Sequence, residues 1–393
     1  MGIKGFEQYN IRRELQIKKI IIIIFAAILI ISAIVLFSLY IAKIEFREWV
    51  DTNVLRKNIA SKDVQTIDLN TDKNNQIYCY SNYVCVLSEK NLVLYNSQGA
   101  KDTEISIDIN TAIFDSNDKY LVVAEKNGQD FCVILDKTFL WNAKADGEIL
   151  QAYINKNGYV ALITTDTTYK SIITLYSPEG KMILRNYSSS TRVVDATISN
   201  DNNYVAFAEI DTSGTLIVSN VKVISVEKAK VNPEKAIIYE YTSDTSRMVT
   251  KIKYQDKNRL VCMYNDGIDV KKEQEENNLI SIDNHISFAS VNLNNNVAYI
   301  QEETSGLFSY NSILTIVNTS NNHQNTYHFN EVAKEMYVYG NIIGINIGTE
   351  IYFVNTNGML IKKYTSNQEI TKVIISNNIA IIIYKDRIEI INL

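Results

Sequence analysis

The chain has 393 residues, with 39 Lys and Arg against 44 Asp and Glu, and its formal net charge at pH 7 is −5. This acidic balance disfavours nucleic-acid binding, because contacts to phosphates need clustered Lys and Arg. Three histidines, and four cysteines without a CxxC spacing, are too few for most metal sites and general-base constellations. We therefore expect no metal, no cofactor and no nucleic-acid partner.

The first predicted element is an apolar stretch at residues 20–42, which has 23 residues and no charge between Lys19 and Lys43. A helix of this length reaches about 34 Å, enough to cross the hydrocarbon core of a bilayer. A cleaved signal peptide usually has an apolar core of about 7 to 15 residues and a small-residue cleavage site. Tyr40-Ile41-Ala42 matches such a site poorly. The stretch is predicted to be an uncleaved transmembrane helix.

The charges beside this helix predict its orientation. Residues 1–19 carry five Lys or Arg and two Glu, a net charge of +3. Since the whole chain carries −5 and the span is uncharged, the part beyond residue 42 carries −8. Lys and Arg are retained on the cytoplasmic side of a membrane. We expect a cytoplasmic tail at 1–19, a partly helical stalk at 43–62 and a domain outside the cell membrane at 63–393.

The domain consists of repeats of about 42 residues. A turn followed by a Tyr-Val type strand recurs eight times, with markers at Tyr83, Tyr120, Tyr159, Tyr204, Leu260, Val297, Ile342 and Ile379. A second marker, a strand that ends four residues before a glycine, has the same period and occurs at Gly99, Gly180 and Gly358. Runs of Ile, Val, Tyr and Thr between Asn, Asp, Ser and Gly are typical of short strands and tight turns.

Four short strands per unit of about 40 residues predict an all-β domain, a β-propeller. Eight blades is our interpretation, and seven is the alternative, because the step of 56 residues between Tyr204 and Leu260 is irregular. A solenoid of parallel strands is a second alternative. The last repeat is one strand short, so residues 64–69 are predicted to pair with residues 387–393 and close the ring.

The lysine-flanked, Ile-rich span and the eight repeat markers together resemble an uncharacterised family. Its members are single-pass membrane proteins of Gram-positive spore-forming bacteria with a domain of unknown function similar to a quinoprotein or WD40-like β-propeller. The resemblance implies the fold, and it supplies no active site. No Trp-Asp dipeptide recurs, and Trp49 and Trp141 are the two tryptophans. The Trp-rich motifs of quinone-dependent propeller enzymes are therefore missing.

Three local patterns have structural explanations. Residues 68–74 imitate the start of a calcium loop, but Lys73 replaces the required Gly and Cys79 the required Glu, so we interpret an Asx-rich turn. A two-residue turn between Cys79 and Cys85 would place their sulfurs on opposite sides of the sheet, and a three-residue turn would pair them. We expect free thiols. His323 and His328 lie in a polar stretch that we interpret as a turn.

These observations favour a noncatalytic binding or scaffold module for a protein or a cell-envelope component. The alternative is a propeller lyase or hydrolase that acts on envelope carbohydrate, with residues of several blades around the central channel. Two predicted loops between second and third strands, at 165–170 and 304–310, carry the candidate binding residues Tyr169, Phe308 and Tyr310. The competing explanation is that these rings pack against neighbouring blades.

Overall fold

The computed structural model describes residues 3–59, 63–71, 73–244, 247–281, 286–304 and 310–393. The chain divides into two compact units, Met1–Asn58 and Ile59–Leu393.

The first unit is helical. Helix α1 spans Ile3–Ala42, so the segment predicted as a tail is helical from Ile3 onward. The part at Lys18–Ala42 is long and apolar enough to cross a membrane, and no protein surface buries it. Lys43 has an extended backbone that ends the helix, and α2 (Ile44–Trp49) and a π-helical turn (Val50–Val54) follow.

The second unit is an eight-bladed β-propeller, as the sequence predicted. In the described residues its strands form eight antiparallel sheets of four strands each. Strand β1 is Val64–Asp68, and blades 1 to 4 contain β2 (Gln76–Tyr80), β3 (Tyr83–Ser88), β4 (Asn91–Tyr95), β5 (Lys101–Ser106); β6 (Ala112–Asn117), β7 (Tyr120–Glu125), β8 (Asp130–Leu135), β9 (Thr138–Lys144); β10 (Glu148–Ile154), β11 (Val160–Thr165), β12 (Ser171–Tyr176), β13 (Met182–Ser188); and β14 (Arg192–Ile198), β15 (Tyr204–Asp211), β16 (Val218–Ser225), β17 (Ile237–Thr242).

The remaining blades follow the same order. Blades 5 to 7 contain β18 (Val249–Tyr254), β19 (Leu260–Tyr264), β20 (Gly267–Lys272), β21 (Glu275–Ser281); β22 (Ile286–Ser290), β23 (Asn296–Thr304), β24 (Tyr310–Asn318), β25 (Gln324–Phe329); and β26 (Glu335–Tyr339), β27 (Ile342–Asn346), β28 (Glu350–Asn355), β29 (Leu360–Thr365). Blade 8 contains β30 (Lys372–Ser376), β31 (Ile379–Ile383), β32 (Arg387–Asn392) and β1.

The ring closes as predicted. β1 pairs antiparallel with β32, from Val64 opposite Ile391 to Asp68 opposite Arg387. The N-terminal strand therefore completes the last blade, and neither strand is left as an open edge at the closure.

The eight repeat markers identify the second strand of each blade. Tyr83, Tyr120 and Tyr204 begin β3, β7 and β15, and Tyr159 immediately precedes β11. These strands lie inside their sheets and pack against both neighbouring blades, which is why they are almost continuously apolar.

The irregular step of 56 residues comes from an insertion in blade 4. Helix α3 (Val226–Val231) and a 3₁₀ turn (Pro233–Lys235) lie between β16 and β17. The Ser225 side chain caps α3 by accepting a hydrogen bond from the backbone N–H of Lys228. The insertion adds residues to one blade, so eight rather than seven blades is the correct count.

The glycine markers occupy turns between third and fourth strands. Gly180 has a φ of +75°, and a Cβ there would lie 2.9 Å from the Trp141 ring. Both the left-handed backbone and the close ring require glycine at this turn.

The cysteines are buried and free. Cys79 lies opposite Val84, and Tyr80 lies opposite Tyr83, so the intervening turn has two residues and directs the sulfurs of Cys79 and Cys85 to opposite sides of the sheet. Burial raises the pKa of the Cys132 thiol to about 12. The expectation of free thiols is confirmed.

Candidate functional site

The antiparallel order of the strands gives the propeller two different faces. Loops that join second to third strands, and loops that join successive blades, lie on one face, which we call the 2–3 face. Loops that join first to second and third to fourth strands lie on the opposite face, called the 1–2 face. The first strands of adjacent blades contact one another around the central channel.

Tyr169 lies on the 2–3 face, between the second and third strands of blade 3 as predicted. Asp166 shapes this loop, because its Oδ1 accepts hydrogen bonds from the backbone N–H groups of Thr168 at 2.7 Å and Tyr169 at 2.6 Å. The Tyr169 ring is half-buried and packs on Tyr187, with ring centroids 4.6 Å apart. Tyr187 itself is 48% exposed. The two rings form an aromatic pair that is accessible from solvent.

The other two candidate residues are Phe308 and Tyr310 in blade 6. Phe308 lies outside the described residues, and so does the side chain of Tyr310. The backbone of Tyr310 begins β24, so the predicted loop does join the second and third strands of blade 6.

The neighbouring blade adds aliphatic side chains to the 2–3 face. Leu216 and Ile217, between β15 and β16, are 52% and 40% exposed. A hydrogen bond from Ser213 lowers the pKa of Asp211 in the same loop, and the positive charge of Lys170 in blade 3 lowers it further. The ends of the two blades lie close together on this face, because the Ser188 hydroxyl in β13 donates a hydrogen bond to Glu209 in β15 at 3.3 Å. Leu216 and Ile217 were not predicted from the sequence, because the prediction of binding residues rested on aromatic residues in these loops.

The central channel holds two adjacent cavities of about 590 and 130 Å³. The larger cavity lies at the 1–2 face and has lining residues from all eight blades. The smaller is lined by blades 2 to 6. The two cavities are therefore lined by residues that are tens of positions apart in the sequence.

Acidic side chains of the first strands join neighbouring blades. Asp115 Oδ2 in blade 2 accepts the backbone N–H of Ile154 in blade 3 at 2.7 Å. Glu335 Oε2 in blade 7 accepts the backbone N–H of Val373 in blade 8 at 3.2 Å. Burial raises the pKa of both carboxyl groups. These bonds give the two acids a structural role at the channel wall.

Asp195 in blade 4 is the most densely bonded of these acids. Its carboxylate accepts the Tyr153 hydroxyl at 2.5 Å, the Lys251 ammonium at 3.3 Å and the backbone N–H of Ile252 at 2.7 Å. Burial, together with the Asp195 charge, raises the pKa of Tyr153 well above its usual value, so its hydroxyl stays protonated and donates. In the described part of the chain, no three His, Cys, Asp or Glu side chains group as metal ligands.

The fold and the polar channel define the class of the protein, an eight-bladed β-propeller with an apolar N-terminal helix. The chain belongs to DUF5711, a family of unknown function whose model matches residues 55–393. No curated protein sequence matches the chain.

Solved structures of similar fold have low sequence identity. BamB from Moraxella catarrhalis has a TM-score of 0.52 and 11% identity, over 84% of this chain and 98% of that chain. The dihydro-heme d1 dehydrogenase NirN, in complex with DHE, has a TM-score of 0.52 and 7% identity, over 82% of this chain and 74% of that one. At such identities the likeness shows the fold alone.

Proposed function

We propose that α1 anchors the chain in the cell membrane as a single-pass protein with a cytoplasmic N-terminus. The propeller is then displayed on the outer side as a noncatalytic binding or scaffold module for a protein or a cell-envelope component. The resemblance to a family of Gram-positive spore-forming bacteria supports a location between the membrane and the cell wall.

Two observations support the anchor and its orientation. The helical segment Lys18–Ala42 exposes its apolar side chains, and an uncovered apolar helix is stable in lipid rather than in water. The five Lys and Arg residues within 1–19 favour retention of this end in the cytoplasm.

The accessible apolar surface on the 2–3 face carries the binding proposal. This surface contains Tyr169 in a loop of blade 3, Tyr187 at the end of β13, and Leu216 and Ile217 in a loop of blade 4. Tyrosine rings provide a large contact area with few rotatable bonds, and aromatic residues are enriched at the centres of protein interfaces. We propose this surface, together with the predicted loop that contains Phe308 and Tyr310, as the partner site.

Photo-crosslinking from two ends of one strand tests the proposal. The crosslinker p-benzoylphenylalanine replaces either Tyr187 or, as the control, Met182 in cells. Both belong to β13, and their exposures of 48% and 53% are similar, but Met182 lies at the 1–2 face. We expect a discrete crosslinked partner from position 187 and not from position 182. Identical crosslinking patterns from both positions, or no adduct from position 187, would contradict the proposal.

A further inference from the structure

The wall of the larger channel cavity differs from one side to the other. Blades 2 to 6 contribute, in order around the ring, Asn117, Lys156, Asn200, Lys253 and Asn292. On the other side, blades 7 and 1 contribute Tyr337, Tyr339 and Tyr78, and blade 8 contributes Asn377 between them. Blade 5 also contributes Tyr254. Amides and amines therefore predominate on one side of the cavity and tyrosine rings on the other.

The amides on this side are available to a ligand. The side chains of Asn117, Asn200 and Asn292 make no hydrogen bond to another described residue, whereas Asn377 Oδ1 accepts a hydrogen bond from the Tyr339 hydroxyl. Each carboxamide donates two hydrogen bonds and accepts two. Such groups suit a ligand whose polar atoms both donate and accept, as hydroxyl groups do.

The aromatic side is ordered and partly open. The Tyr78 ring stacks on Phe114, with centroids 5.2 Å apart and planes 9° from parallel, and its hydroxyl lies 3.3 Å from Ser116 Oγ. Tyr337 makes no hydrogen bond to a described residue through its hydroxyl, and both tyrosines are only half-buried. Phe114 covers one face of the Tyr78 ring, and Tyr337 also packs partly against the core. The exposed part of each ring offers the cavity an apolar surface with a polar edge.

The charges around the cavity balance. Lys156 and Lys253 share it with Asp115 and Asp118, so the formal charges of the lining groups cancel. A site without net charge gives no general advantage to an anion or a cation. Its volume of about 590 Å³ lies within the usual range of roughly 300 to 1,000 Å³ for ligand pockets.

We propose that the channel mouth binds a neutral carbohydrate. One face of a sugar ring is apolar C–H and packs against Tyr78 and Tyr337, while its hydroxyls bond to Asn117, Asn200 and Asn292. This site lies at the 1–2 face and does not depend on the partner surface at the 2–3 face.

Calorimetry on the full chain tests this site. Lipid nanodiscs are required, because maltoside and glucoside detergents would compete for a sugar site. The probes are chitotetraose, cellotetraose and maltotetraose at up to 10 mM, with tetragalacturonate and tetra-alanine as anionic and peptide comparisons. We expect at least one neutral tetrasaccharide to bind, with N200A and N292A each weakening it about tenfold, as for a lost hydrogen bond in a polar site.

Asn357→Ala is the matched control, because Asn357 is exposed in the turn between β28 and β29, away from the channel lining. It should leave the affinity unchanged. Asn292 is also exposed, so its replacement should not disturb folding. N292A therefore tests the site even if N200A lowers the melting temperature. The proposal is overturned if no neutral probe binds, if N357A loses as much affinity as N200A and N292A, or if tetragalacturonate or tetra-alanine binds more tightly than every neutral probe.

Discussion

Asp195 in blade 4 accepts the backbone N–H of Ile252 in blade 5 at 2.7 Å, across the innermost strands of the ring. Asp115 and Ile154 repeat this bond between blades 2 and 3 at the same distance. A buried N–H without an acceptor is costly, so these acids hold the first strands of adjacent blades in register.

The first prediction concerns Asp195, which is only 2% exposed. Asp195→Ala would leave the Ile252 N–H, the Tyr153 hydroxyl and the Lys251 ammonium without this acceptor. We expect the free energy of unfolding in urea to fall by about 2 to 5 kcal/mol, because each buried donor left without an acceptor costs about 1 to 3 kcal/mol. Asp108→Ala, which removes an exposed ion pair with Lys90, should leave the free energy of unfolding almost unchanged, because solvent screens the pair. Equal losses in the two variants would refute the structural role of Asp195.

The second prediction concerns pH. Burial raises the pKa of Asp115 above its value of about 3.9 in the unfolded chain, so the folded state keeps this proton to a higher pH. The contribution of Asp115 to the stability of the wild-type protein is therefore fully present below about pH 4. It is lost as the pH rises through the pKa of Asp115 in the folded state. Asp115→Asn retains a carbonyl acceptor for Ile154 but cannot ionise. The free energy of unfolding of the variant minus that of wild type should therefore be larger at pH 7 than at pH 4. A difference that stays constant with pH would argue against burial of Asp115 as the cause.

The repeat architecture was predictable because every blade carries its own local signal. Tyr83, Tyr120 and Tyr204 each follow a turn and begin a strand that is buried on both faces, so the pattern survives without the rest of the fold. The missing fourth strand of the last repeat likewise predicted that β1 would pair with β32, which the structure confirms.

The channel was not predictable, because its lining is assembled from all eight blades. Asp195 and Ile252 are 57 positions apart, and no local pattern marks either one. Asn117, Asn200 and Asn292 look like ordinary turn residues in the sequence, and only the closed ring places them around one cavity. The α3 insertion was visible only as a long step between two markers.

The third prediction concerns ring closure. Deletion of residues 389–393 removes most of β32 and leaves β1 largely unpaired. It also removes Glu389, which accepts a hydrogen bond from Arg387 Nε at 2.8 Å and another from the Tyr364 hydroxyl. Because closure joins all eight blades into one ring, we expect the whole domain to lose its cooperative thermal transition or to melt at least 10 °C lower, as for a loss of several kcal/mol.

A shorter deletion provides the control for this experiment. Removing residues 392–393 keeps all five residue pairs between β1 and β32, from Val64–Ile391 to Asp68–Arg387. Its melting temperature should stay much closer to that of wild type. If the five-residue deletion melts at the wild-type temperature by differential scanning fluorimetry, the closure does not stabilise the domain.

The most direct test of the proposed outward display of the propeller is cysteine labelling in intact, wall-stripped cells. Ser61→Cys lies within the predicted stalk at 43–62, and Gly5→Cys lies near the N-terminus. The four native thiols are buried, so background labelling by a membrane-impermeant maleimide should be low. We predict labelling at position 61 in intact cells and labelling at position 5 only after the membrane is permeabilised. Labelling of position 5 but not position 61 in intact cells would contradict the orientation and, with it, the outward display of the propeller.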